Sequence, residues 1–208
     1  GVMINGSEYL DHKDSCQAIK ENFINSKKSK INFVRIAIDL LRAPESKVLV
    51  DALHTMGYKV MLNLMQANLR TSNEIKETAE IIQRWNKVEV LYFADSLGSM
   101  NSNSIEQFCK SLKMSWNGII GFHAHNNQNL ALSNSITAIN NGCQFCDSTI
   151  LGMGRGAGNA QTENLLVQSG GFYDSSSMLS AIAGFDKLRD KFKWGPNHFY
   201  QIASQENV

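Results

Sequence analysis

The chemistry-bearing segment of this chain is Gly121-Phe122-His123-Ala124-His125-Asn126-Asn127, which places two imidazoles at i and i+2 behind an apolar run. Asn117-Gly118 is a turn signal, and Ile119-Ile120-Gly121-Phe122 after it reads as a buried strand. On a strand, i and i+2 face the same way, roughly 6.5–7 Å apart along the chain. From there two neutral imidazoles can converge on one divalent cation. A bare His-x-His also arises from structural histidines, and that reading stays open. Its context favours a metal. The pair sits where a strand ends, followed by Asn126, Asn127, Gln128 and Asn129 and then a helix-like pattern.

The elements that must position this pair repeat along the chain. Val2 to Ile4, Phe33 to Ile38, Lys59 to Met65, Val90 to Asp95, the histidine strand and Phe145 to Ile150 are six apolar strand patterns. Helical patterns alternate with them at Asp11 to Lys28, Pro44 to Met56, Asn73 to Trp85, Ser102 to Leu112, Leu130 to Asn141 and Thr162 to Gln168. Pro44 suits a first helical turn, Ser72 or Asn73 can cap the third helix, and Gly57 and Gly142 act as stops. Near-continuous apolar strands alternating with helices predict a parallel sheet. Polar residues and glycines gather after strand upon strand, at Asp39, Gln66 to Asn68, Asp95 to Gly98, His123 to Asn129 and Gly152 to Asn159. A doubly wound sheet concentrates its ligand at one switch point, whereas a (β/α)8 barrel uses every strand end. A (β/α)8 TIM barrel is therefore expected, with six βα units visible and the first two missing on the N-terminal side. Residues 1–168 are read as the partial barrel and 169–208 as a C-terminal helical extension that caps it or begins a second domain.

Bulk properties exclude more than they assign. The 208 residues are 43% hydrophobic and 19% charged, enough for one domain with a real core. A formal net charge of +1 gives no basic field for nucleic acid. No apolar run is long enough for a membrane span. The four cysteines, Cys16, Cys109, Cys143 and Cys146, do not read as a disulfide framework, so a cytoplasmic location is expected. Cys143 and Cys146 form a lone C-x-x-C, read as two ordinary thiols in preference to a zinc or redox site.

Two segments together resemble the DRE-TIM metallolyases, the superfamily of HMG-CoA lyase-like and 4-hydroxy-2-oxovalerate aldolase-like enzymes. Gly121 to Asn127, with Asn134-Ser135-Ile136 and Asn141-Gly142-Cys143, is similar to the seventh strand and helix of that group. Asp147 to Ala160, with Gly152-Met153-Gly154-Arg155-Gly156-Ala157-Gly158-Asn159, is similar to its eighth strand and glycine-rich loop. Ala94 to Met100 and Phe33-Val34-Arg35 resemble the sixth and fourth strands of the aldolase branch.

The resemblance implies His123, His125 and Asn159 as ligands of a divalent metal, Mn²⁺ or Mg²⁺, and Ser96 and Arg35 as substrate-binding residues. Asp95 is read as scaffold. It implies aldol cleavage or formation at a small-molecule 2-oxo acid such as pyruvate, through a metal-stabilised enolate. The family's catalytic arginine and its metal-binding aspartate come from an Arg-Asp motif on the first strand and are expected upstream of this chain. Leu188-Arg189-Asp190-Lys191 has the letters but lies in a helical tail and reads as a solvated helix face. His12, His54 and His198 lie off the strand ends and are read as exposed or structural. A Claisen-type acyltransferase using acyl-CoA, and a non-catalytic metal-binding barrel acting as subunit or scaffold, remain as alternatives. A homo-oligomer or a partner dehydrogenase is left open for the tail.

Overall fold

The computed structural model describes residues 1–170 and 174–207. They form strands β1 (Val2–Asn5), β2 (Phe33–Asp39), β3 (Lys59–Met65), β4 (Val88–Asp95), β5 (Ile119–Ala124) and β6 (Phe145–Cys146). Helices α1 (Gly6–Leu10), α2 (Ser15–Asn22), α3 (Lys47–Thr55), α4 (Ser72–Gln83), α5 (Ser102–Lys113), α6 (Ala131–Asn140) and α7 (Thr162–Ser169) alternate with them. Then come α8 (Ser175–Phe192) and α9 (His198–Gln205). The strands follow one another in chain order within a parallel sheet. This is the strand–helix repeat of a (β/α)8 barrel, with six of its strands in this chain.

The chain divides into two compact units, Gly1–Phe93 with Lys110–Ile120, and Ala94–Cys109 with the residues from Gly121 onward. In the first unit, period-two alternation on β2 and β3 sends Val34, Ile36, Ile38, Val60, Leu62 and Leu64 into a fully buried layer. The apolar stripes of α3 (Leu49, Val50, Leu53) and α4 (Ile75, Ala79, Ile82) are buried as well. The opposite face of these strands is mixed. Arg35 and Asp39 lie on it, and Asn63 registers between Ala37 and Tyr92. Asp39 also receives Arg70 at 2.7 Å, an ion pair with both side chains mostly buried.

Several expected boundaries shift, each for a local reason. The single helix expected from Asp11 to Lys28 is α2 followed by a 3₁₀ turn at Ser26–Lys28, and α1 lies ahead of that span. Asn5 and Asp14 are both extended and accept hydrogen bonds from Ser7 N and Gln17 N, so the chain restarts a helix twice. Pro44 falls inside a 3₁₀ segment, Leu40–Ser46, ahead of α3. The cap of α4 is Thr71, not Ser72 or Asn73, in a reciprocal capping box with Glu74. The sixth strand is only Phe145–Cys146 because the backbone then leaves the ladder. Thr149 N donates to Ala160 O, and Ile150–Gly152 forms a 3₁₀ turn. The C-x-x-C thiols go separate ways: Cys143 Sγ lies 3.7 Å from Cys109 Sγ, and Cys146 Sγ donates to Ser135 O at 3.7 Å.

Candidate metal centre

All the residues of the second unit that were singled out for metal chemistry come together at the ends of β5 and β6. The rings of His123 and His125 stand edge to face with centroids 5.0 Å apart. Asn159 pairs with His125 in an isolated antiparallel bridge, although 34 positions separate them. Ser96 is brought to the same place by its neighbour, since His125 N donates to Asp95 O at 3.4 Å. Arg35 lies in the first unit, where its guanidinium stacks over the Tyr92 ring at 4.4 Å. The remaining histidines, His12, His54 and His198, are exposed.

Each putting-in-place has a local cause. Gly121 and Phe122 register with Phe145 and Cys146, and Asp147 N donates to Phe122 O, so His123 and Asp147 meet across adjacent strands. The Asp147 carboxylate then takes His123 Nδ1 at 2.9 Å. That fixes the Nδ1–H tautomer and leaves Nε2 as the free lone pair, the usual arrangement behind a metal-ligating histidine. Sequence reasoning missed Asp147 in this role; the available signal was an acidic residue one step past the strand beside the histidines.

His125 is more enclosed, and burial pushes its pKa down to about 4, with the neighbouring His123 adding to the effect. The Gly158 carbonyl opposes this by hydrogen bonding to the ring. At neutral pH the imidazole is therefore uncharged and able to donate a lone pair. Asp95 is fully buried; its carboxylate accepts Ser99 N and Met100 N at 3.0 and 3.1 Å. Burial still pushes its pKa up to about 6, against those backbone donors. It closes the loop that carries Ser96 and is scaffold.

The glycine-rich loop sets Asn159. Gly152 and Gly158 both have positive φ, +66° and +78°, and a Cβ on Gly158 would run into the Gly152 carbonyl oxygen. The loop closes through Asn159 N to Gly152 O and Gly158 N to Arg155 O, each at 3.0 Å. From the other side, Trp194 Nε1 donates to Leu151 O and Gly195 N to Gly156 O, both at 3.0 Å. Asn159 Nδ2 donates to Met153 O at 3.0 Å, which fixes which end of the amide is oxygen. That oxygen, Oδ1, is buried and has no hydrogen-bond partner. An acceptor left so costs about 1–3 kcal/mol, and a cation beside two imidazoles would satisfy it. Among the described residues, no three His, Cys, Asp or Glu side chains converge on a metal position. The fit is thus to two imidazole nitrogens and one amide oxygen, a mixed donor set suited to a catalytic divalent ion more than to a closed structural zinc.

A parallel strand–helix repeat with polar side chains gathered at its strand C-termini defines a (β/α)8-type scaffold. The chain belongs to the HMGL-like family, whose model matches residues 25–170. It is similar to the 4-hydroxy-2-oxovalerate aldolase of Bacillus thuringiensis, with 35% identity over 64% of this chain and 39% of the relative. The enzyme of that name from Geobacillus genomosp. 3 is 33% identical over 71% of this chain and 43% of its own length. The chain therefore spans about two fifths of these curated relatives. Among solved structures, the N-terminal domain of a candidate aldolase from Bacteroides vulgatus matches 99% of this chain and 68% of its own. Its TM-score is 0.81 and its identity 28%. The carboxyl transferase domain of Rhizobium etli pyruvate carboxylase, solved with pyruvate and biocytin, shares the fold at TM-score 0.78 and 14% identity. There the match covers 96% of this chain and 37% of that one.

Proposed function

We propose that this chain carries the metal-binding part of an aldolase site that breaks or forms a carbon–carbon bond at a pyruvate-like 2-oxo acid. The observation that carries the reading is Asn159 Oδ1, buried without a partner beside an oriented pair of imidazoles. Similarity to 4-hydroxy-2-oxovalerate aldolases supports aldol chemistry over acyl transfer.

His123 Nε2, a ring nitrogen of His125 and Asn159 Oδ1 would hold Mn²⁺ or Mg²⁺. When bound, the cation supplies Lewis acidity that stabilises negative charge next to the 2-oxo group as the bond breaks. The protein's own groups then have distinct tasks. Asp147 keeps the proton on His123 Nδ1 and orients the ring. Burial keeps His125 neutral. The Ser96 hydroxyl, half-buried at the end of β4, would orient the substrate carboxylate. Arg35 is proposed as a substrate-contacting residue; within the first unit, stacking on Tyr92 restrains its guanidinium.

The four cysteines are free thiols, which supports a reducing, cytoplasmic setting. Among the described residues no helix is long and apolar enough to cross a membrane. Phe192, Phe199 and Ile202 are at least 60% exposed on α8 and α9. That supports a protein surface opposite them, from a second copy or a partner dehydrogenase.

Calorimetric titration of metal-free protein with Mn²⁺ tests the reading. Saturable binding is expected, lost in His123→Ala and weakened in Asn159→Ala. Equal binding by wild type and His123→Ala would sink it. A coupled assay for pyruvate release with Mn²⁺ separates an aldolase from a metal-binding barrel without activity.

A further inference from the structure

Beside the metal centre, in the second unit, lies a cavity of about 370 Å³ that no part of the aldolase reading uses. Its wall includes Asn126, Asn129, Gln161, Asn164 and Arg189, with Leu132 as an apolar contact. The size falls within the range of small-molecule sites. No aspartate or glutamate is among the described residues lining it.

The hydrogen bonds around this wall decide what it can bind. Asn126 Oδ1 is already taken, accepting Ala131 N at 3.2 Å, which leaves Asn126 Nδ2 as a donor. Gln161 Oε1 is taken by Asn164 Nδ2, which leaves Gln161 Nε2 as a donor. The guanidinium of Arg189 has no carboxylate partner among the described residues. Gly195 has a positive φ and no side chain, and even a Cβ there would sit 4.0 Å from Arg189 Nη2, so the cation is not crowded. The wall is therefore rich in N–H donors, carries one permanent positive charge, and holds no compensating acid. A cation or an amine finds little here; an oxyanion finds donors on several sides.

We propose that this cavity is an oxyanion-binding site for the phosphate or carboxylate end of a small polar molecule, distinct from the metal ligands but contiguous with them. Asn126 follows His125 and Ala160 follows Asn159, so a ligand held here touches residues next to two of the three proposed metal ligands. In a barrel, the loops after the last two strands are a favoured position for such a group. The sequence reading set Arg189 aside as part of a solvated helix face. It is exposed, as expected, yet α8 packs against the Ile150–Gly152 turn and Arg189 lines the cavity with Asn126, Ala160 and Gln161.

The test uses metal-free protein titrated with inorganic phosphate and, separately, with acetate at matched ionic strength, read by the shift in melting temperature. A saturable rise with phosphate alone identifies a phosphate end, and a rise with acetate a carboxylate end. Arg189→Gln and the near-isosteric Asn129→Asp are each expected to weaken that binding about ten-fold or more, while Mn²⁺ affinity stays unchanged. A rise that survives both substitutions, or no rise with either anion, overturns the proposal. His123→Ala keeps the two readings apart: it is expected to abolish Mn²⁺ binding and leave the anion effect intact.

Discussion

His123 Nδ1 and Asp147 Oδ2 lie 2.9 Å apart, and the pair joins two adjacent parallel strands across 24 residues of sequence. Neither group is fully buried, at 21% and 23% side-chain exposure, so the contact is partly screened. Its value lies in direction more than in stability: it decides which ring nitrogen carries the proton.

Asp147→Asn should therefore leave the fold intact and weaken Mn²⁺ binding about 10- to 100-fold, the usual cost of losing a partner behind a metal-ligating histidine. Calorimetry gives the affinity and circular dichroism the fold. An unchanged affinity would mean that His123 is held by its strand alone.

The glycine loop predicts a graded series. Gly158→Ala meets both left-handed backbone strain and the Gly152 carbonyl, and should destabilise by about 1–3 kcal/mol or more. Gly170→Ala has the strain (φ +71°) but nothing within 4 Å, and should cost less. Gly184→Ala, inside α8 with open space around it, should stabilise by about 0.5–1 kcal/mol. Urea denaturation of the three variants checks the order; an inverted order would remove the steric argument for Gly158.

Cys146 should resist alkylation. Burial, with Asp147 beside it, pushes its thiol up to about 12, so almost no thiolate exists at pH 8. Mass spectrometry after iodoacetamide treatment of native protein should find Cys146 unmodified, with labelling appearing only as the pH approaches 12 or the protein unfolds. Rapid labelling at pH 8 would revive the C-x-x-C as reactive chemistry.

Acid should selectively loosen the start of α8. Asp174 caps it by accepting Ser177 N at 2.8 Å, and its hydrogen bonds to Ser177 and Ser176 hold its pKa down to about 2. A carboxylate with a depressed folded pKa contributes stability above its ordinary value near 3.8 that is lost as pH falls through about 2. The melting-temperature gap between wild type and Asp174→Ala should be constant above pH 5 and shrink between pH 4 and 2. A gap that persists at pH 2 would assign the cap's effect to something other than its charge.

Much of this arrangement was legible in the chain. His123 and His125 on a strand end, the alternation of strands and helices, and the glycines before Asn159 each follow from short-range pattern, because period and φ preference are local properties. What escaped was decided at longer range. Asp147 matters through register between β5 and β6, which no single segment encodes. The shortness of β6 follows from Ala160 taking the backbone bond that an extended strand would need. Arg189 was correctly seen as exposed on a helix, but its position on a cavity wall depends on α8 packing against the distant Ile150–Gly152 turn. The extra helix α1 and the later start of α2 were readable in principle, since Asn5 and Asp14 are both good caps.

Trp194 has a consequence of a more practical kind. Its indole is almost wholly enclosed, and it donates to Leu151 O, just ahead of the glycine loop that ends at Asn159. Trp85 and Trp116, the other two indoles, belong to the first unit. The protein thus contains a native fluorophore wired to its glycine loop. Events that tighten or release that loop become visible as emission, without a label and without turnover.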